Sequence, residues 1–439
     1  MNGKSLVLTA YSHESFLPCE LKEIVAHARR KEISSRNEKV GLKKDIHATP
    51  LNRGYLLHTK ELVLLTNTLQ PFYQINGEYT VNELSSTPGV ESFLQQLHYY
   101  DLLLFGSNNG QLLVKDVPKK YKELYKEGDF VTFPLVPTNV ELNLSNACNF
   151  ACIHCAEDSK PKREINSGEE LSTKEHKNII DECAQIGVLK LIFMGGEPLY
   201  YKDFFELAKY AKEKGIRNLV TSTNGWFIND NTAKELSKYF DSIQVSIHGA
   251  SSSTHDFIVG RKGSWEQDKR AVKALKKYNM KVNASFTLMR KNRGEIYKMP
   301  YLVKEWGGDS LRFICLNDQE GRGRSLKGWN EEEIFQIGSE IKKIYESLPP
   351  GLELEAGGFP PLRPIKNDAC SYGCSAGKTL LSIASDGRVR GCGNLGNYVG
   401  NVREKSILDI WHSPELIEMR KQSGCDCNYR SICYGPCLM

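Results

Sequence analysis

The sequence predicts an α/β fold: a partial, TIM-like (β/α)6 barrel with an N-terminal winged-helix-like module and a small C-terminal cysteine-rich domain. Three observations support this fold class. Strand-like and helical segments alternate six times in the middle of the chain, a short strand-rich segment precedes them, and cysteines cluster from residue 370 onward. Serial β/α units imply parallel strands joined by right-handed crossovers.

The composition excludes several classes of protein. With 439 residues, of which 40% are hydrophobic and 25% charged, the chain is globular rather than disordered or fibrous. No apolar run approaches the roughly 18 residues of a membrane span, and the start, MNGKSLVLTAYS, lacks a signal-peptide cleavage site. The net charge of +5 does not require a nucleic-acid partner. We therefore expect a cytoplasmic protein that has neither a membrane nor a nucleic acid as partner.

The N-terminal third differs from the rest of the chain. Residues 53–67 predict a β-hairpin, and residues 90–105 predict a helix that runs into a strand. Strands and short helices in so short a segment suggest a winged-helix-like module. DNA binding is the plain alternative, but the segment lacks the dense basic helix that it requires. The expected parts are an extension over 1–49 with one helix from Glu20 to Lys31, the module over 50–107 and a linker over 108–137.

The predicted barrel spans residues 138–349. Helix start signals separate its strands: capping boxes at Ser172–Glu175, Thr232–Glu235 and Ser264–Gln267, and Asn330 followed by three glutamates. Six units fall short of the eight of a closed barrel, so we expect a partial one. The strands are rich in Val, Ile, Leu and Phe, as strands covered on both faces should be, and lie at 139–144, 190–195, 218–223, 242–247, 281–288 and 310–316.

Residues 350–439 form the last predicted domain. The stretch 350–369 is rich in Gly and Pro and predicts a connection. The tail after it is small, so metal sites are expected to replace part of its hydrophobic core. The chain holds 13 cysteines without an export signal. Because the cytosol disfavours disulfides, we interpret the clustered thiols as metal ligands.

Three cysteines, Cys148, Cys152 and Cys155, directly follow the first barrel strand. Parallel barrels place their chemistry in the loops at the carboxyl ends of the strands, and this is such a loop. Three thiolates can hold three irons of a 4Fe–4S cubane and leave the fourth iron open. The alternative is a zinc site completed by His154, whose position next to Cys155 is a poor geometry for sharing one ion.

This loop resembles the cysteine motif of the radical S-adenosylmethionine enzymes, with His154 where the family has an aromatic ring. Further motifs follow in order at successive strand ends. Met194-Gly195-Gly196-Glu197-Pro198 resembles the family's GGE segment, Thr223-Asn224-Gly225 its TNG segment and Ser246-Ile247-His248-Gly249 its S-x-D-G segment. Because His248 replaces the usual acid, no ribose role is carried over to it. The resemblance implies cofactor contacts at Gly195, Gly196, Glu197, Asn224 and Ser246, with Arg261 as a candidate for the cofactor carboxylate.

The resemblance also implies the chemistry. Glycines let the backbone approach a ligand closely and a carboxylate can pair with an ammonium, and in the family the GGE segment binds the methionine amino group of S-adenosylmethionine. The open iron of the catalytic 4Fe–4S cluster chelates the cofactor, and one electron splits the sulfonium bond. The resulting 5′-deoxyadenosyl radical takes hydrogen from a substrate C–H bond. The expected electron donor is of the flavodoxin or ferredoxin type.

The second group of cysteines resembles the SPASM domain of peptide-modifying radical enzymes, with Ile407–Trp411 as its tryptophan-containing helix. The resemblance implies two auxiliary 4Fe–4S clusters. Gly424 stands where the family has a further cysteine, so the fourth ligand of the second cluster stays open among Asp426, Cys315, a bound peptide and none. Structural zinc is the alternative for this tail. The ligands carried over are Cys370, Cys374, Cys392 and Cys437 for the first cluster and Cys425, Cys427 and Cys433 for the second.

Residues 50–107 resemble the RiPP recognition element, which captures the leader of a ribosomally made peptide on a sheet edge. We therefore expect a maturase that binds a precursor peptide by its leader at this module and forms an intramolecular carbon–carbon or carbon–sulfur cross-link. One alternative is a SPASM enzyme that oxidises a protein residue or a small molecule, as sulfatase maturases do. The other is an iron–sulfur-sensing winged-helix regulator, which would not need a methionine-binding loop. The sequence does not single out a catalytic base.

Overall fold

The structure is a computed structural model of the chain, and it divides into two compact units, which we describe separately. One unit holds the described residues up to Val136, and the other holds those from Pro137 to Arg420. For residues before 117 the description covers the backbone alone. The described residues are 9–12, 40–42, 46–50, 55–58, 62–66, 103–105, 112–114, 117–125, 134–165, 168–357, 359 and 375–421.

The N-terminal unit contains a sheet whose described strands have the order β1-β5-β4-β3-β7, and a separate pair, β2 and β6. The sheet is antiparallel except for β3 and β7, which run parallel. The strands are β1 (Thr9–Ser12), β2 (Val40–Leu42), β3 (Ile46–Pro50), β4 (Tyr55–His58), β5 (Leu62–Thr66), β6 (Leu103–Phe105) and β7 (Leu112–Val114), followed by the one-turn helix α1 (Lys119–Lys122).

The predicted hairpin at 53–67 is confirmed, because β4 and β5 pair antiparallel. The predicted strand at the end of 90–105 is confirmed by β6. The helical part of that segment and the predicted helix from Glu20 to Lys31 lie outside the described residues.

In the second unit the described strands form one large sheet. From β8 to β14, each strand pairs in parallel with the next one along the chain. This succession confirms the six predicted parallel strands and the partial barrel. The strands are β8 (Asn139–Asn143), β9 (Lys190–Met194), β10 (Asn218–Thr223), β11 (Ser242–Ser246), β12 (Lys281–Leu288), β13 (Ser310–Cys315), β14 (Glu353–Gly357), β15 (Leu380–Ile383), β16 (Arg388–Arg390) and β17 (Gly400–Asn401).

Strands at both edges extend this sheet beyond the predicted six. Residues 353–357 pair in parallel with β13, although the stretch 350–369 predicts a connection. The prediction is wrong for this segment, because pairing with an open sheet edge depends on context more than on intrinsic propensity. At the other edge, β15 pairs in parallel with β8, and the chain then turns back through β16 and β17. The domain boundaries at 138 and 350 stay predictions.

Helices follow most of the barrel strands and cover one face of the sheet. The ring of Phe193 on β9 meets Phe204 and Phe240 edge to face, with centroids 6.0 Å apart in both pairs. Among the described residues, no helix is long and apolar enough to cross a membrane. The helices are α2 (Thr173–Ile186), α3 (Phe204–Glu213), α4 (Asp230–Leu236), α5 (Ser252–Val259), α6 (Ser264–Lys277), α7 (Met299–Trp306), α8 (Glu331–Glu346), α9 (Ile407–Trp411) and α10 (Pro414–Arg420).

The other, concave face of the sheet is polar. Glu141 on β8 and Arg312 on β13 alternate with buried apolar residues, so both point to this face. Their strands are five spacings apart in the sheet, which is roughly 24 Å if the sheet were flat. Burial raises the pKa of Glu141, and the charge of Arg312 still lowers it in part. The sheet therefore curves into a partial barrel that brings the two side chains toward each other.

The helix caps differ in part from the predicted start signals. The prediction is wrong at Thr232, because α4 begins earlier and the side chain of Asn229 accepts from the N–H of Thr232 at 3.0 Å. It is also wrong at Ser264, whose hydroxyl donates to Asp256 at 2.8 Å. A cap depends on where the backbone enters the helix, which a four-residue pattern does not determine. The capping box at Ser172–Glu175 forms as expected, and Asn330 opens the last helix as expected, where it also forms a capping box with Glu333.

Replacing Asn229 by alanine is expected to loosen the first turn of α4. The loss of a side-chain cap costs about 1 kcal/mol, so the amide of Thr232 should exchange its hydrogen about fivefold faster. Hydrogen–deuterium exchange with mass spectrometry measures this. Thr232→Ala is the matched control, because it keeps the cap and its main-chain donor. Equal effects of the two substitutions would mean that Asn229 is not the cap.

Candidate active site

The three cysteines of the barrel lie in one loop after β8, and neighbouring elements hold its backbone. The N–H of Cys148 donates to the carbonyl of Lys160 at 2.8 Å, which closes the loop on itself. In its middle, the N–H of Ile153 donates to the carbonyl of Ile258 at 2.9 Å, at the end of α5. The thiols are therefore positioned by packing between elements as well as by the loop.

The loop offers its sulfur atoms the donors that a bound cluster needs. The N–H of Phe150 lies 3.4 Å from Cys148 Sγ, and the N–H of Ser159 lies 3.4 Å from Cys155 Sγ. Hydrogen bonds of this kind to cluster sulfurs are one of the ways in which a protein tunes a cluster. Burial raises the pKa of Cys148 to about 11. Burial, followed by the charges of the other two thiols, raises the pKa of Cys152. Bound iron would offset this cost of ionisation, so the residues fit a 4Fe–4S cluster.

A single-metal site is the alternative for this loop. Within the part of the chain that the structure describes, no group of three or more His, Cys, Asp or Glu side chains could hold one metal ion. A cubane sets a different requirement, because each thiolate binds its own iron.

Gly195 and Gly196, at the end of β9, bring the chain against the cysteine loop. A Cβ at Gly195 would lie 2.4 Å from the carbonyl oxygen of Ser145, and one at Gly196 would lie 2.2 Å from that of Ala147. The N–H of Gly196 donates to Ser145 at 2.8 Å, and the N–H of Glu197 donates to Ala147 at 2.9 Å. The sequence suggests that these glycines admit a ligand. In the structure, the close approach that excludes a side chain is to the chain's own backbone.

The carboxylate of Glu197 connects the ends of β9 and β10. Its residue is 2% exposed, and it accepts from the hydroxyl of Thr223 at 2.7 Å and from the N–H of Asn224 at 2.7 Å. The N–H of Leu199 is a third donor at 3.1 Å. Burial raises the pKa of Glu197 to about 7, although these donors lower it. Pairing with an ammonium would therefore have to use the acceptor capacity that the three protein donors leave.

Asn224 brings the TNG segment to the first cysteine. Its side-chain amide donates to Asn149 at 2.8 Å and lies 3.9 Å from Cys148 Sγ. Two residues further, the ring of Trp226 lies under the guanidinium of Arg261, 4.2 Å from the ring centroid. The structure thus gathers the GGE and TNG segments around the first cysteine, with Arg261 next to the TNG segment.

The two residues that depart from the family's motifs contact each other. The rings of His154 and His248 lie edge to face with centroids 4.3 Å apart. The N–H of Thr287 donates to His248 Nδ1 at 3.1 Å, so the neutral ring carries its proton on Nε2. Burial lowers the pKa of both rings, that of His154 to about 4, so both are uncharged at neutral pH. Ser246 ends β11 on the concave face, and among the described residues no hydrogen bond joins it to the GGE or TNG segment.

The turn that carries Cys392 is held to the barrel by a hydrogen bond and an ion pair. The N–H of Gly393 donates to Glu141 of β8 at 3.2 Å. Arg390, whose side chain is 3% exposed, pairs with Glu157 of the cysteine loop. The predicted cluster ligands that lie outside the described residues are Cys370, Cys374, Cys425, Cys427, Cys433 and Cys437.

Sequence reasoning missed the charged residues that connect these loops. Arg390 and Glu157 are 233 positions apart, and Arg322 reaches back 170 positions to Cys152. No local pattern marks such partners, although the Gly-Arg-Gly run at 321–323, shortly after a barrel strand, is a signal that could have been used. Cys315, one candidate for the open fourth ligand, is buried on the helix-covered face of β13, which does not favour that role.

Replacing Glu197 by glutamine is expected to change how stability depends on pH. Because burial raises its pKa from 4.5 to about 7, the folded protein holds this proton more tightly than the unfolded chain does. The stability that Glu197 adds is therefore complete below its unfolded pKa and is lost as the pH rises toward 7, by about 3 kcal/mol. Glutamine does not titrate. As the pH rises toward 7, the wild-type protein should therefore lose about 3 kcal/mol of stability relative to the Glu197→Gln variant.

Urea titrations of the metal-free protein near pH 4.5 and near pH 7 measure this change in the free energy of unfolding. Glu206→Gln is the matched control, because its carboxylate is half exposed on α3. A difference between wild type and Glu197→Gln that does not vary with pH would contradict the raised pKa.

Two family models match the chain. One, described as the radical SAM superfamily, matches residues 142–299. The other, the SPASM iron–sulfur cluster-binding domain, matches residues 374–437. Together they imply 4Fe–4S clusters and S-adenosylmethionine as cofactors.

Solved structures support the same fold. SuiB of Streptococcus suis bound to S-adenosylmethionine has a TM-score of 0.67 at 18% identity, covering 90% of this chain and 95% of that one. The structure of anSMEcpe with bound AdoMet and Cp18Cys peptide has a TM-score of 0.55 at 19% identity, covering 69% of this chain and 89% of that one. Both likenesses concern the fold alone.

Sequence relatives include enzymes with different named products. An AdoMet-dependent heme synthase of Methanosarcina barkeri is 29% identical over 321 residues, which are 68% of this chain and 90% of the relative. The mycofactocin maturase MftC of Mycobacterium ulcerans is 30% identical over 319 residues, which are 69% of this chain and 83% of the relative. With its motifs at successive strand ends, its partial barrel and these relatives, the chain belongs to the radical SAM superfamily and carries a SPASM domain.

Proposed function

We propose that the protein is a radical S-adenosylmethionine maturase that installs a carbon–carbon or carbon–sulfur cross-link within a ribosomally synthesised precursor peptide. When bound, the catalytic cluster and S-adenosylmethionine would supply the abstraction of one hydrogen atom from a peptide C–H bond, and an auxiliary 4Fe–4S cluster would accept the second electron while the second hydrogen leaves as a proton. The proposal includes an electron donor of the flavodoxin or ferredoxin type and a cytoplasmic location, because thiol ligands need a reducing compartment. The proposed catalytic cluster ligands are Cys148, Cys152 and Cys155, and the proposed cofactor contacts are Gly195, Gly196, Glu197, Asn224, Ser246 and Arg261.

The polar concave face of the barrel is the observation that carries the choice of a peptide. The side chain of Gln244 donates to Ser222 at 3.0 Å, and the hydroxyl of Ser310 donates to Asn283 at 2.7 Å. The side chain of Arg312 is 48% exposed on the same face. Gln244 and Ser222 belong to β11 and β10, whose carboxyl ends carry two of the cofactor motifs, and this is the end at which barrels bind substrates; the other groups belong to β12 and β13. A peptide that leaves water needs hydrogen-bond partners for its amides and polar side chains, and this face offers them.

A tetrapyrrole-modifying enzyme is the second candidate, because a relative 29% identical to this chain is named a heme synthase. A flat and largely apolar macrocycle is accommodated best by apolar walls. The concave face presents amides, hydroxyls and charges beside fewer apolar side chains, such as Ile192 and Met194, so we prefer the peptide. A maturase that oxidises a single protein residue remains the third candidate, and it differs by needing no leader.

The N-terminal sheet is the proposed site for the leader peptide. β1 and β7 are the edge strands of its described part. An edge strand can pair with an extended peptide through main-chain hydrogen bonds, and pockets for alternate side chains provide specificity. The solved structures of SuiB include one with its precursor peptide SuiA, and that likeness covers 91% of this chain at a TM-score of 0.63.

The proposal predicts leader-dependent turnover. Protein with reconstituted clusters would be reduced anaerobically and mixed with S-adenosylmethionine and the precursor peptide encoded beside its gene. Mass spectrometry should detect 5′-deoxyadenosine and a peptide that has lost two hydrogens. The same peptide without its leader should react at least tenfold more slowly, since the core alone would lack the edge-strand contacts.

Control arms separate the candidates. Cys152→Ala should form no 5′-deoxyadenosine with any substrate, because it removes a proposed cluster ligand. Equal turnover of peptides with and without the leader would favour the residue-oxidising enzyme. Turnover of an iron porphyrin without peptide turnover would establish the tetrapyrrole enzyme and overturn the proposal.

The polar concave face can be tested within the same assay. Gln244→Leu keeps the size of the side chain and removes its hydrogen-bonding groups, so product formation should fall about tenfold, the equivalent of one lost hydrogen bond. The iron content per chain should stay unchanged. Gln336→Leu, on the exposed surface of α8, is the matched control. A Gln244→Leu variant with wild-type turnover would remove the support that this face lends to a peptide substrate.

A further inference from the structure

Arg322 belongs to a short 3₁₀ turn, Gly321–Ser325, that follows β13. The cysteine loop follows β8, and the strands β9 to β12 lie between these two in the sheet. The turn nevertheless contacts the cysteine loop, because the sheet curves. The contact spans the mouth of the partial barrel at the carboxyl ends of its strands.

The side chain of Arg322 donates to the cysteine loop in three places. Its Nε donates to the carbonyl of Cys152 at 2.8 Å. Its Nη1 donates to the carbonyl of Ser159 at 2.8 Å and to the carboxylate of Asp158 at 3.0 Å. The main-chain N–H of Arg322 adds a fourth bond, to the carbonyl of Cys155 at 2.9 Å. Arg322 therefore binds the backbone of the cysteine loop at Cys152, at Cys155 and at Ser159.

The glycines on either side of Arg322 allow this approach. A Cβ at Gly321 would lie 2.2 Å from the carbonyl oxygen of Cys155, and its φ of +53° lies in the left-handed region. A Cβ at Gly323 would lie 2.1 Å from the carbonyl oxygen of Asn317. Both neighbours are backbone atoms, so neither position can take a side chain without moving the turn.

The charge of Arg322 lies close to the cysteine loop, because its guanidinium is hydrogen-bonded to the carbonyl of Cys152 and paired with the carboxylate of Asp158. The Arg322 side chain is 29% exposed, so water screens this charge only in part.

We infer that Arg322 is a positioning residue that holds the cysteine loop in its cluster-binding shape and offsets negative charge on the bound cluster. A guanidinium suits both tasks, because its planar fork reaches several acceptors and stays charged. The inference rests on the proposed ligands Cys148, Cys152 and Cys155 and does not depend on which substrate the enzyme takes.

Three variants of the full chain test this role: Arg322→Gln, Arg322→Lys and, as the matched control, Arg324→Gln. Arg324 lies in the same turn, its side chain is 65% exposed, and its hydrogen bonds go to Gln319 and Glu320. The first readout is hydrogen–deuterium exchange of the metal-free protein. Amides of the cysteine loop should exchange about tenfold faster in both Arg322 variants and at the wild-type rate in Arg324→Gln. Wild-type exchange in strand β10 would show that each variant is folded.

The second readout is the midpoint potential of the cluster whose electron paramagnetic resonance signal changes when S-adenosylmethionine is added. Loss of a nearby cation disfavours the extra electron, so Arg322→Gln should have a more negative potential than the wild type. Arg322→Lys keeps the charge and should lie closer to the wild type, although its loop exchanges faster.

Each readout can overturn the inference without any peptide. Wild-type exchange and wild-type potential in Arg322→Gln would leave the residue with no positioning role. Equal effects of Arg322→Gln and Arg324→Gln would assign the effect to the turn as a whole rather than to Arg322. A failed leader-dependence assay would leave both readouts intact, so the two proposals fail separately.

Discussion

The contact between the ends of β8 and β9 is the constraint on which the rest of the site depends. Two glycines come so close to the backbone of Ser145 and Ala147 that no side chain fits between them. This approach continues the parallel hydrogen bonding past the last strand residues. It also draws the following residue, Glu197, out of water. A buried carboxylate requires donors, and Thr223 and Asn224 provide them from the end of β10. The close backbone contact thus orders three successive strand ends.

An open barrel needs closing contacts that a complete one would obtain from its missing strands. In this chain, part of that function falls to charged side chains near the cysteine loop. Arg390 pairs with Glu157 from one edge of the sheet, and Arg322 binds three loop acceptors from near the other. Arg322 also lies close to the thiols that carry negative charge when the loop holds a cluster, since it binds the carbonyl of Cys152. In Arg322, structural closure and electrostatic support therefore come from the same residue.

The environment differs between the proposed cofactor side and the proposed substrate side of the barrel. Near the cysteines, the buried rings of His154 and His248 are uncharged, and Glu197 is surrounded by donors. On the concave face below, polar groups are partly open to water, among them Gln244 and Arg312. A water-poor region strengthens electrostatic interactions and protects reactive species from side reactions. A polar face can bind the amides of a peptide.

Local patterns were sufficient for the order of the barrel strands and for the placing of the motifs. Alternating strand and helix signals imply parallel strands, and parallel strands put their carboxyl ends at one edge, so the motifs at 148–155, 195–197 and 224 had to meet. The capping boxes at Ser172 and Asn330 formed for a similar reason, since their partners are three residues away.

The tertiary structure alone decided the partners of the buried and charged groups. It decided that the carboxylate of Glu197 accepts a hydrogen bond from the end of the neighbouring strand β10 and that the ring of His154 packs on that of His248. It also decided that residues 353–357 extend the sheet. The contacts of Arg322 likewise join residues more than 160 positions apart. The sequence by itself determined which elements form and that the chemistry lies at the carboxyl ends of the strands. Which side chains meet there follows from the curvature of the sheet, and that curvature comes from packing across the whole barrel, which no short pattern encodes.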